Sequence, residues 1–326
     1  MTGSIEIRVE NRNIVYAFTL RRNITVIRGN SATGKTTLIQ MLAAYESSGE
    51  ASGIRLHCEK DCVVLNDVRW KENLSGIRDS IVFIDEDYRF VRSQEFAEQI
   101  RNTDNYYVLV TRDNLYNLPY SVTEIYGIHA SGRYLNLKKT YNELYPIYGS
   151  FPVLEGNIDQ SCVVVEDSNA GYDFFSNVVG SKHECISAGG KTRIYKTLMD
   201  QKEHFCLIIA DGAAFGPEME RFYEMILAGY QIALYLPESF EWLILKSGLI
   251  DGNRIRRILE HPEDYIDSKK YFSWERFFSS LLVKETEGTY LKYTKAKLNV
   301  AYLDSSACGK ILDVLPEAVK NFITGE

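Results

Sequence analysis

The sequence lacks long apolar runs and is poor in proline. No apolar run approaches the roughly 18 residues of a membrane-spanning helix, and the first residues lack the basic and apolar segments of a secretory signal. Only seven of the 326 residues are proline and 45% are hydrophobic, which excludes disordered and collagen-like chains. We therefore expect a cytoplasmic globular protein without a membrane partner, and its length favours two domains.

No part of the chain has the excess of lysine and arginine that non-specific nucleic-acid binding requires. Residues 1–150 carry 18 basic and 18 acidic side chains, residues 151–237 carry 6 and 12, and residues 238–326 carry 13 and 14. The net charge of −7 therefore lies mainly in the middle of the chain. We expect weak nucleic-acid binding by the isolated chain, and the acidic middle region could host a divalent cation.

Cysteine is scarce and scattered. The six cysteines, at positions 58, 62, 162, 185, 206 and 308, predict free thiols in a cytosolic protein. Only His57, Cys58 and Cys62 are spaced like metal ligands, and no second pair follows at the distance of a zinc site. A turn between two strands is the favoured interpretation of this segment.

The chain does contain a regular alternation of strand-like and helix-like segments. Strands are predicted within the first 28 residues, at 81–84 and at 107–110, and helices at 36–45 and 94–101. A second series covers 162–236, after prolines and glycines at 146–156 interrupt the periodicity. The pattern predicts an α/β fold with three parts: a parallel-sheet domain at 1–150, a small α/β domain at 158–237 and a mainly helical region at 238–326.

A glycine-rich segment follows the third predicted strand and precedes a predicted helix. It reads Gly29-Asn30-Ser31-Ala32-Thr33-Gly34-Lys35-Thr36, which matches G-x-x-x-x-G-K-[ST], and Thr37 adjoins it as a further nucleotide-binding candidate. The glycines let backbone N–H groups surround phosphate oxygens, and the helix N-terminus adds positive charge. Lys35 would bridge the β- and γ-phosphates, and the Thr36 hydroxyl would coordinate Mg²⁺. The segment predicts binding of ATP or GTP with Mg²⁺.

Polar residues also follow two of the predicted buried strands. Asp85 and Glu86 end the strand at 81–84, fifty residues after Lys35, in the arrangement of a Walker B element. Asp85 would hold Mg²⁺ through water, and Glu86 would polarise the attacking water, which makes Glu86 and Lys35 the catalytic candidates. Thr111 ends the strand at 107–110 and could contact the γ-phosphate, whereas Arg112 could equally form a surface salt bridge.

These residues together resemble the ATPase core of ABC-type and overcoming-lysogenisation-defect (OLD) family proteins, in which N-terminal strands lead into a P-loop. The resemblance covers roughly residues 1–130. It implies a P-loop NTPase fold that hydrolyses ATP through Mg²⁺-assisted attack of water on the γ-phosphate.

Acidic residues follow the apolar strands of the second series. Glu166 comes after an apolar strand, Gly189-Gly190-Lys191 precedes a helix, and Asp211 follows Ile208-Ile209-Ala210. Together they resemble a TOPRIM domain, the metal-binding fold of topoisomerases, primases and OLD-family nucleases, over about residues 160–237. The resemblance implies Mg²⁺ bound by Glu166 and Asp211, with Glu166 as general acid/base. Ala213 stands where the family has a second aspartate, which removes one oxygen ligand.

The sequence is compatible with three functions. The favoured one is an ATP-binding and ATP-hydrolysing protein whose nucleotide state controls the TOPRIM-like domain, a protein partner or a second copy of the chain. The resemblance implies a bacterial system that acts against phage or other mobile DNA. The alternative is a nucleotide-gated, Mg²⁺-dependent nuclease acting through Glu166 and Asp211. A phosphotransferase is the third, and no recognisable acceptor motif favours it.

Overall fold

The computed structural model describes residues 1–29, 33–66, 69–86, 88–131, 139–148, 161–179, 183–201 and 204–325. The protein is an α/β structure with one large mixed sheet and one separate parallel sheet, which confirms the predicted fold class at that level. The chain forms two compact units. Unit 1 comprises the described parts of 1–149 together with 261–272, and unit 2 the described parts of 150–260 together with 273–326.

Unit 1 is built on a nine-stranded sheet. Its strands are β1 (Ile5–Glu10), β2 (Ile14–Leu20), β3 (Ile24–Ile27), β4 (Arg55–His57), β5 (Cys62–Val64), β6 (Ile81–Ile84), β7 (Tyr106–Val110), β8 (Ile125–Ser131) and β9 (Thr140–Pro146). They lie in the order β4-β1-β2-β9-β8-β3-β7-β6-β5. The helices of this unit are α1 (Lys35–Ser48), α2 (Trp70–Gly76) and α3 (Gln94–Arg101).

The prediction of a parallel sheet for the first domain is wrong for part of this sheet. Strands β8, β3, β7, β6 and β5 are parallel to their neighbours in that order, but β1 pairs antiparallel with β2 and β4, and β8 pairs antiparallel with β9. The connection between β1 and β2 is too short for a crossover, so these strands can only form a hairpin. Asn11 closes that turn, because its side-chain oxygen accepts hydrogen bonds from the backbone N–H groups of Asn13 and Ile14 at 2.8 Å.

The core of unit 1 lies between α1 and the sheet. Leu38, Met41 and Leu42 of α1 pack into one buried cluster with residues such as Val9 of β1 and Phe83 of β6. Every residue of β3, β6 and β7 is buried, as expected for parallel strands that are covered on both faces. Burial of α1 against these strands fixes the position of Lys35, the first residue of this helix.

Residues 261–272 belong to unit 1 although they lie far along the chain. The backbone N–H of Gly3 donates to the carbonyl of Glu263 at 2.8 Å. The Asn23 side-chain amide donates to the carbonyl of Phe272 at 3.0 Å. This part of the predicted helical region therefore completes the first unit.

Unit 2 contains a four-stranded sheet in the order β11-β10-β12-β13, and all its neighbouring strands are parallel. These strands are β10 (Ser161–Val165), β11 (Glu184–Ser187), β12 (Phe205–Ile209) and β13 (Ile232–Tyr235). The helices α4 (Ala170–Val178), α5 (Lys191–Asp200) and α6 (Met219–Leu227) alternate with them along the chain. The strand–helix alternation predicted for this segment is thus present.

Five short helices complete unit 2 among the described residues. They are α7 (Phe240–Lys246), α8 (Asn253–Glu260), α9 (Trp274–Thr286), α10 (Ser305–Leu312) and α11 (Glu317–Thr324). Within the part of the chain that the structure describes, none of the helices combines the length and the apolar character needed to span a bilayer.

Candidate functional sites

The glycine-rich segment of unit 1 connects β3 to α1. Gly29 has a φ of 136° and Gly34 a φ of 91°, values that a residue with a Cβ atom rarely adopts. Gly34 immediately precedes α1, and the first turn of that helix contains no acidic side chain. Helix N-termini with these properties attract anions through their free N–H groups. The predicted ligands Asn30, Ser31 and Ala32 lie outside the described residues.

Lys35 is held inside this segment. Its side chain is 4% exposed, and its ammonium group donates hydrogen bonds to the Gly29 carbonyl at 2.7 Å and to the Thr33 hydroxyl at 3.2 Å. Burial lowers the pKa of Lys35, while the nearby carboxylates of Glu86 and Asp85 act in the opposite direction. The structure therefore brings the predicted lysine and both predicted acids into electrostatic range of one another.

Tyr16 of β2 supports the start of α1. Its hydroxyl donates to the Gly34 carbonyl at 2.8 Å, and a Cβ atom placed on Gly34 would lie 2.7 Å from that hydroxyl oxygen. Burial raises the pKa of Tyr16, and a hydrogen bond with Thr37 partly offsets this effect. Sequence reasoning missed Tyr16, because an aromatic residue in an alternating strand resembles ordinary core. Thr36, beside these residues, has an exposed side chain.

Three strand ends meet near Lys35. Strands β3, β7 and β6 are adjacent and parallel, so Gly29, Thr111 and Asp85 follow strands that end at the same edge of the sheet. Thr111 is buried, and its hydroxyl oxygen accepts from the backbone N–H of Asp113 at 3.0 Å. One carboxylate oxygen of Asp85 accepts from the backbone N–H of Glu86 at 2.7 Å. Sequence reasoning placed these residues at strand ends, and the strand order makes them neighbours.

Glu86 is engaged in an ion pair with Arg112. The Nε and Nη2 atoms of Arg112 lie 3.0 and 3.1 Å from the two carboxylate oxygens of Glu86. This bidentate geometry is the surface salt bridge that the sequence left open for Arg112. Because Arg112 is 56% exposed, the pair can exchange with water and solvent ions.

Two predicted ligands in unit 1 have the donor types that suit a magnesium ion. Thr36 and Asp85 offer a hydroxyl and a carboxylate, which are the hard oxygen ligands that Mg²⁺ prefers. Magnesium at phosphate sites commonly takes one or two protein ligands and completes its shell with phosphate oxygens and water. Within the described ranges, no three histidine, cysteine, aspartate or glutamate residues form a group that could hold a metal by themselves. His57, Cys58 and Cys62 do not form such a group.

In unit 2, the predicted acids lie together at the sheet edge. Strands β10 and β12 are adjacent and parallel, so Glu166 and Asp211 follow strand ends that face the same way. The backbone N–H of Asp211 donates to a carboxylate oxygen of Glu166 at 3.0 Å. Glu166, Asp167 and Asp211 line a small cavity with apolar neighbours that include Phe175 and Phe240.

Burial raises the pKa of these carboxyl groups. The pKa of Glu166 rises to about 7, that of Asp167 rises, and that of Asp211 rises well above its ordinary range. The negative charge of Glu275 adds to the effect of burial at both Glu166 and Asp211. Burial also lowers the pKa of Lys191, whose ammonium group donates to the Ala214 carbonyl at 2.8 Å.

Sequence reasoning missed four further members of this cluster. Glu241 lies in the first turn of α7, Glu275 lies in the first turn of α9, and Tyr293 and Lys295 follow α9. The Tyr293 hydroxyl donates to Glu241 at 3.0 Å, and the Lys295 ammonium lies 2.5 Å from Glu275 and 4.0 Å from Glu241. No local pattern links these residues to Glu166, since they lie more than 70 positions further along the chain.

The carboxylates of unit 2 do not fit a magnesium ion as they are arranged. Asp167 accepts from the backbone N–H groups of Gly171 at 3.3 Å and Tyr172 at 2.8 Å, and Asp211 accepts from that of Phe240 at 3.3 Å. Ala213 is buried, and its methyl side chain offers no oxygen ligand. These carboxylates are already used as acceptors inside the fold.

No protein-family model matches this chain, and no curated protein matches it significantly.

Proposed function

We propose that unit 1 is a P-loop NTPase that binds a nucleoside triphosphate with Mg²⁺ at Gly29–Thr36 and hydrolyses it. The observation that carries this proposal is the position of Lys35, whose buried ammonium group lies against Gly29 and Thr33 at the start of a buried helix. A lysine buried at the start of a helix favours an incoming anion, because its hydrogen bond to a charged phosphate oxygen is stronger than one to a carbonyl.

The surroundings of Lys35 support triphosphate binding in particular. Gly29 and Gly34 have positive φ values of the kind found in turns that surround an anion, and the N-terminus of α1 contributes its partial positive charge. Lys35 would then exchange its present partners for β- and γ-phosphate oxygens. An anion with fewer phosphate groups would contact only some of these donors.

Hydrolysis would depend on the acids beside Lys35. Thr36 and Asp85 would hold Mg²⁺, which neutralises charge on the phosphates when it is bound. Glu86 would orient the attacking water, and Thr111 would lie near the γ-phosphate. Because Arg112 now occupies both oxygens of Glu86, this pair would have to open or turn toward the nucleotide during turnover.

We further propose that unit 2 is TOPRIM-like and that the nucleotide state of unit 1 controls it or a partner. The four-stranded parallel sheet with Glu166 and Asp211 at neighbouring strand ends supports the resemblance. We favour control over nuclease activity, because the carboxylates of unit 2 do not fit Mg²⁺ in their present bonding.

Calorimetry with ATP and GTP in magnesium buffer tests the proposal, together with phosphate-release assays. Lys35→Ala should abolish nucleotide binding, whereas Lys71→Ala, which removes an exposed lysine of the same unit, should leave it unchanged. Glu86→Gln should retain binding and lose hydrolysis by about a hundredfold or more. The proposal would be refuted if folded wild-type protein bound neither ATP nor GTP. Binding without phosphate release would refute its hydrolytic part.

A further inference from the structure

The segment after α9 places Lys295 beside the carboxylates of unit 2. Its position is fixed from both sides, because the backbone N–H of Ala170 donates to the Lys295 carbonyl at 3.2 Å and that of Leu298 donates to Asp173 at 3.0 Å. The side chain of Lys295 is 43% exposed. The side chain of Lys295 is therefore in contact with solvent as well as with the acids of unit 2.

Carboxyl groups outnumber lysines around this point. Five carboxyl groups interact electrostatically there with two lysines; the acids are Glu166, Asp167, Asp211, Glu241 and Glu275, and the lysines are Lys191 and Lys295. Partial burial of Lys295 would by itself lower its pKa, but the charges of Glu275, Glu241 and Asp211 outweigh that effect, and the pKa is raised. The carboxylates thus stabilise the charged form of Lys295.

Lys295 contacts two acids of the cluster and interacts electrostatically with a third, the predicted metal ligand Asp211. Its ammonium group is 2.5 Å from Glu275 and 4.0 Å from Glu241, while Tyr293 donates to the same oxygen of Glu241. A divalent cation that used Glu241 or Glu275 as a ligand would have to displace this lysine, because two cations on the same carboxylate repel each other strongly. Because Ala213 supplies no oxygen ligand, a divalent cation in competition with Lys295 would bind still more weakly.

We infer that the ammonium group of Lys295 serves as the resident cation of this carboxylate cluster, so that unit 2 takes up neither Mg²⁺ nor Mn²⁺ at Glu166 and Asp211. This inference stands on the geometry of unit 2 alone. It does not require that unit 1 bind a nucleotide.

A Mn²⁺ titration of the full chain without nucleotide tests this inference, with electron paramagnetic resonance to count bound ions and thermal unfolding to detect stabilisation. The wild type should bind no Mn²⁺ at this cluster more tightly than about 1 mM, and Mn²⁺ should shift its Tm no more than it shifts that of Asp211→Asn. Lys295→Met should bind one Mn²⁺ about tenfold more tightly or better, and Mn²⁺ should raise its Tm. Adding Asp211→Asn to Lys295→Met should remove that gain.

Two control variants separate charge from a general disturbance. Lys295→Arg keeps the positive charge and should behave as the wild type, and so should Lys297→Met, which removes an exposed lysine two residues further on. A wild-type Mn²⁺ site that Asp211→Asn abolishes and Lys35→Ala leaves intact would overturn the inference. The same conclusion follows if Lys295→Met folds and binds Mn²⁺ no better than the wild type. If Lys295→Met does not fold, Lys295→Gln takes its place, because the comparison of wild type with Asp211→Asn tests only whether unit 2 takes up Mn²⁺ and not the role of Lys295.

Discussion

The contact between Tyr16 and Gly34 permits a quantitative test of how the glycine-rich segment is held. The Tyr16 hydroxyl oxygen would lie 2.7 Å from a Cβ atom on Gly34, whereas the next ring atoms would lie 3.7 and 3.8 Å away. Only the hydroxyl is therefore too close for a methyl group. Replacing Tyr16 by phenylalanine removes that oxygen and leaves ordinary van der Waals contacts.

Gly34→Ala should cost stability for two separable reasons. A φ of 91° is unfavourable for alanine by about 1–2 kcal/mol. The new methyl group would also displace the Tyr16 hydroxyl and break its hydrogen bond to the Gly34 carbonyl, for a further loss of about 1 kcal/mol. Tyr16→Phe alone should cost about 1 kcal/mol, because the same hydrogen bond is lost. The double variant loses the hydrogen bond between Tyr16 and Gly34 only once, and without the hydroxyl the new methyl group has no clash.

The double-mutant cycle should therefore show coupling. We expect Gly34→Ala to destabilise the wild type by roughly 2–3 kcal/mol and the Tyr16→Phe protein by about 1 kcal/mol less. Urea unfolding of the four proteins, fitted with a shared m-value, measures these differences. Additivity of the two costs to within about 0.4 kcal/mol would refute the reasoning, since it would show that the hydroxyl does not limit the space at Gly34.

Two further predictions concern buried charge. Burial raises the pKa of Glu166 to about 7 from its ordinary 4.5, so the folded protein binds this proton more tightly than the unfolded chain. The free energy of unfolding should therefore fall as the pH rises from about 4.5 to about 7. Urea unfolding at several pH values should show that Glu166→Gln reduces this fall by roughly 2 kcal/mol. An unchanged dependence of the unfolding free energy on pH would contradict this prediction. Glu124 is buried and lies 3.6 Å from the buried Arg22, so Glu124→Ala should cost about 3 kcal/mol. Arg112→Ala breaks the exposed pair with Glu86 and should cost less than about 1 kcal/mol; similar losses for both variants would count against the role of burial.

The sequence predicted the elements of the fold better than their arrangement. Apolar runs located β6 and β7 closely, and the spacing of Leu38 and Leu42 located α1. Periodicity reports which face of an element is buried but not which strand lies beside it. The antiparallel pairs β1–β2 and β8–β9, which make the large sheet mixed, were therefore not predicted.

The candidate sites were predictable where the chemistry is local. Lys35 and Asp85 belong to short motifs whose residue types and spacing follow from phosphate binding, and the structure brings both residues into electrostatic range. Tyr16 and Lys295 belong to no motif, and their roles arise from contacts between distant parts of the chain. The pairing of Glu86 with Arg112 could be named only as one of two options, because a salt bridge depends on side-chain direction.

The return of residues 261–272 to unit 1 bears on how this gene can be divided. A chain assembled by joining two independent cassettes end to end would cross from one unit to the other once, whereas this polypeptide leaves the first unit, comes back and leaves it again. Cutting the gene after residue 149 would deprive Gly3 and Asn23 of the carbonyls of Glu263 and Phe272. The two units are thus interleaved along the chain. A single recombination event within the gene could not exchange one unit whole without also exchanging part of the other.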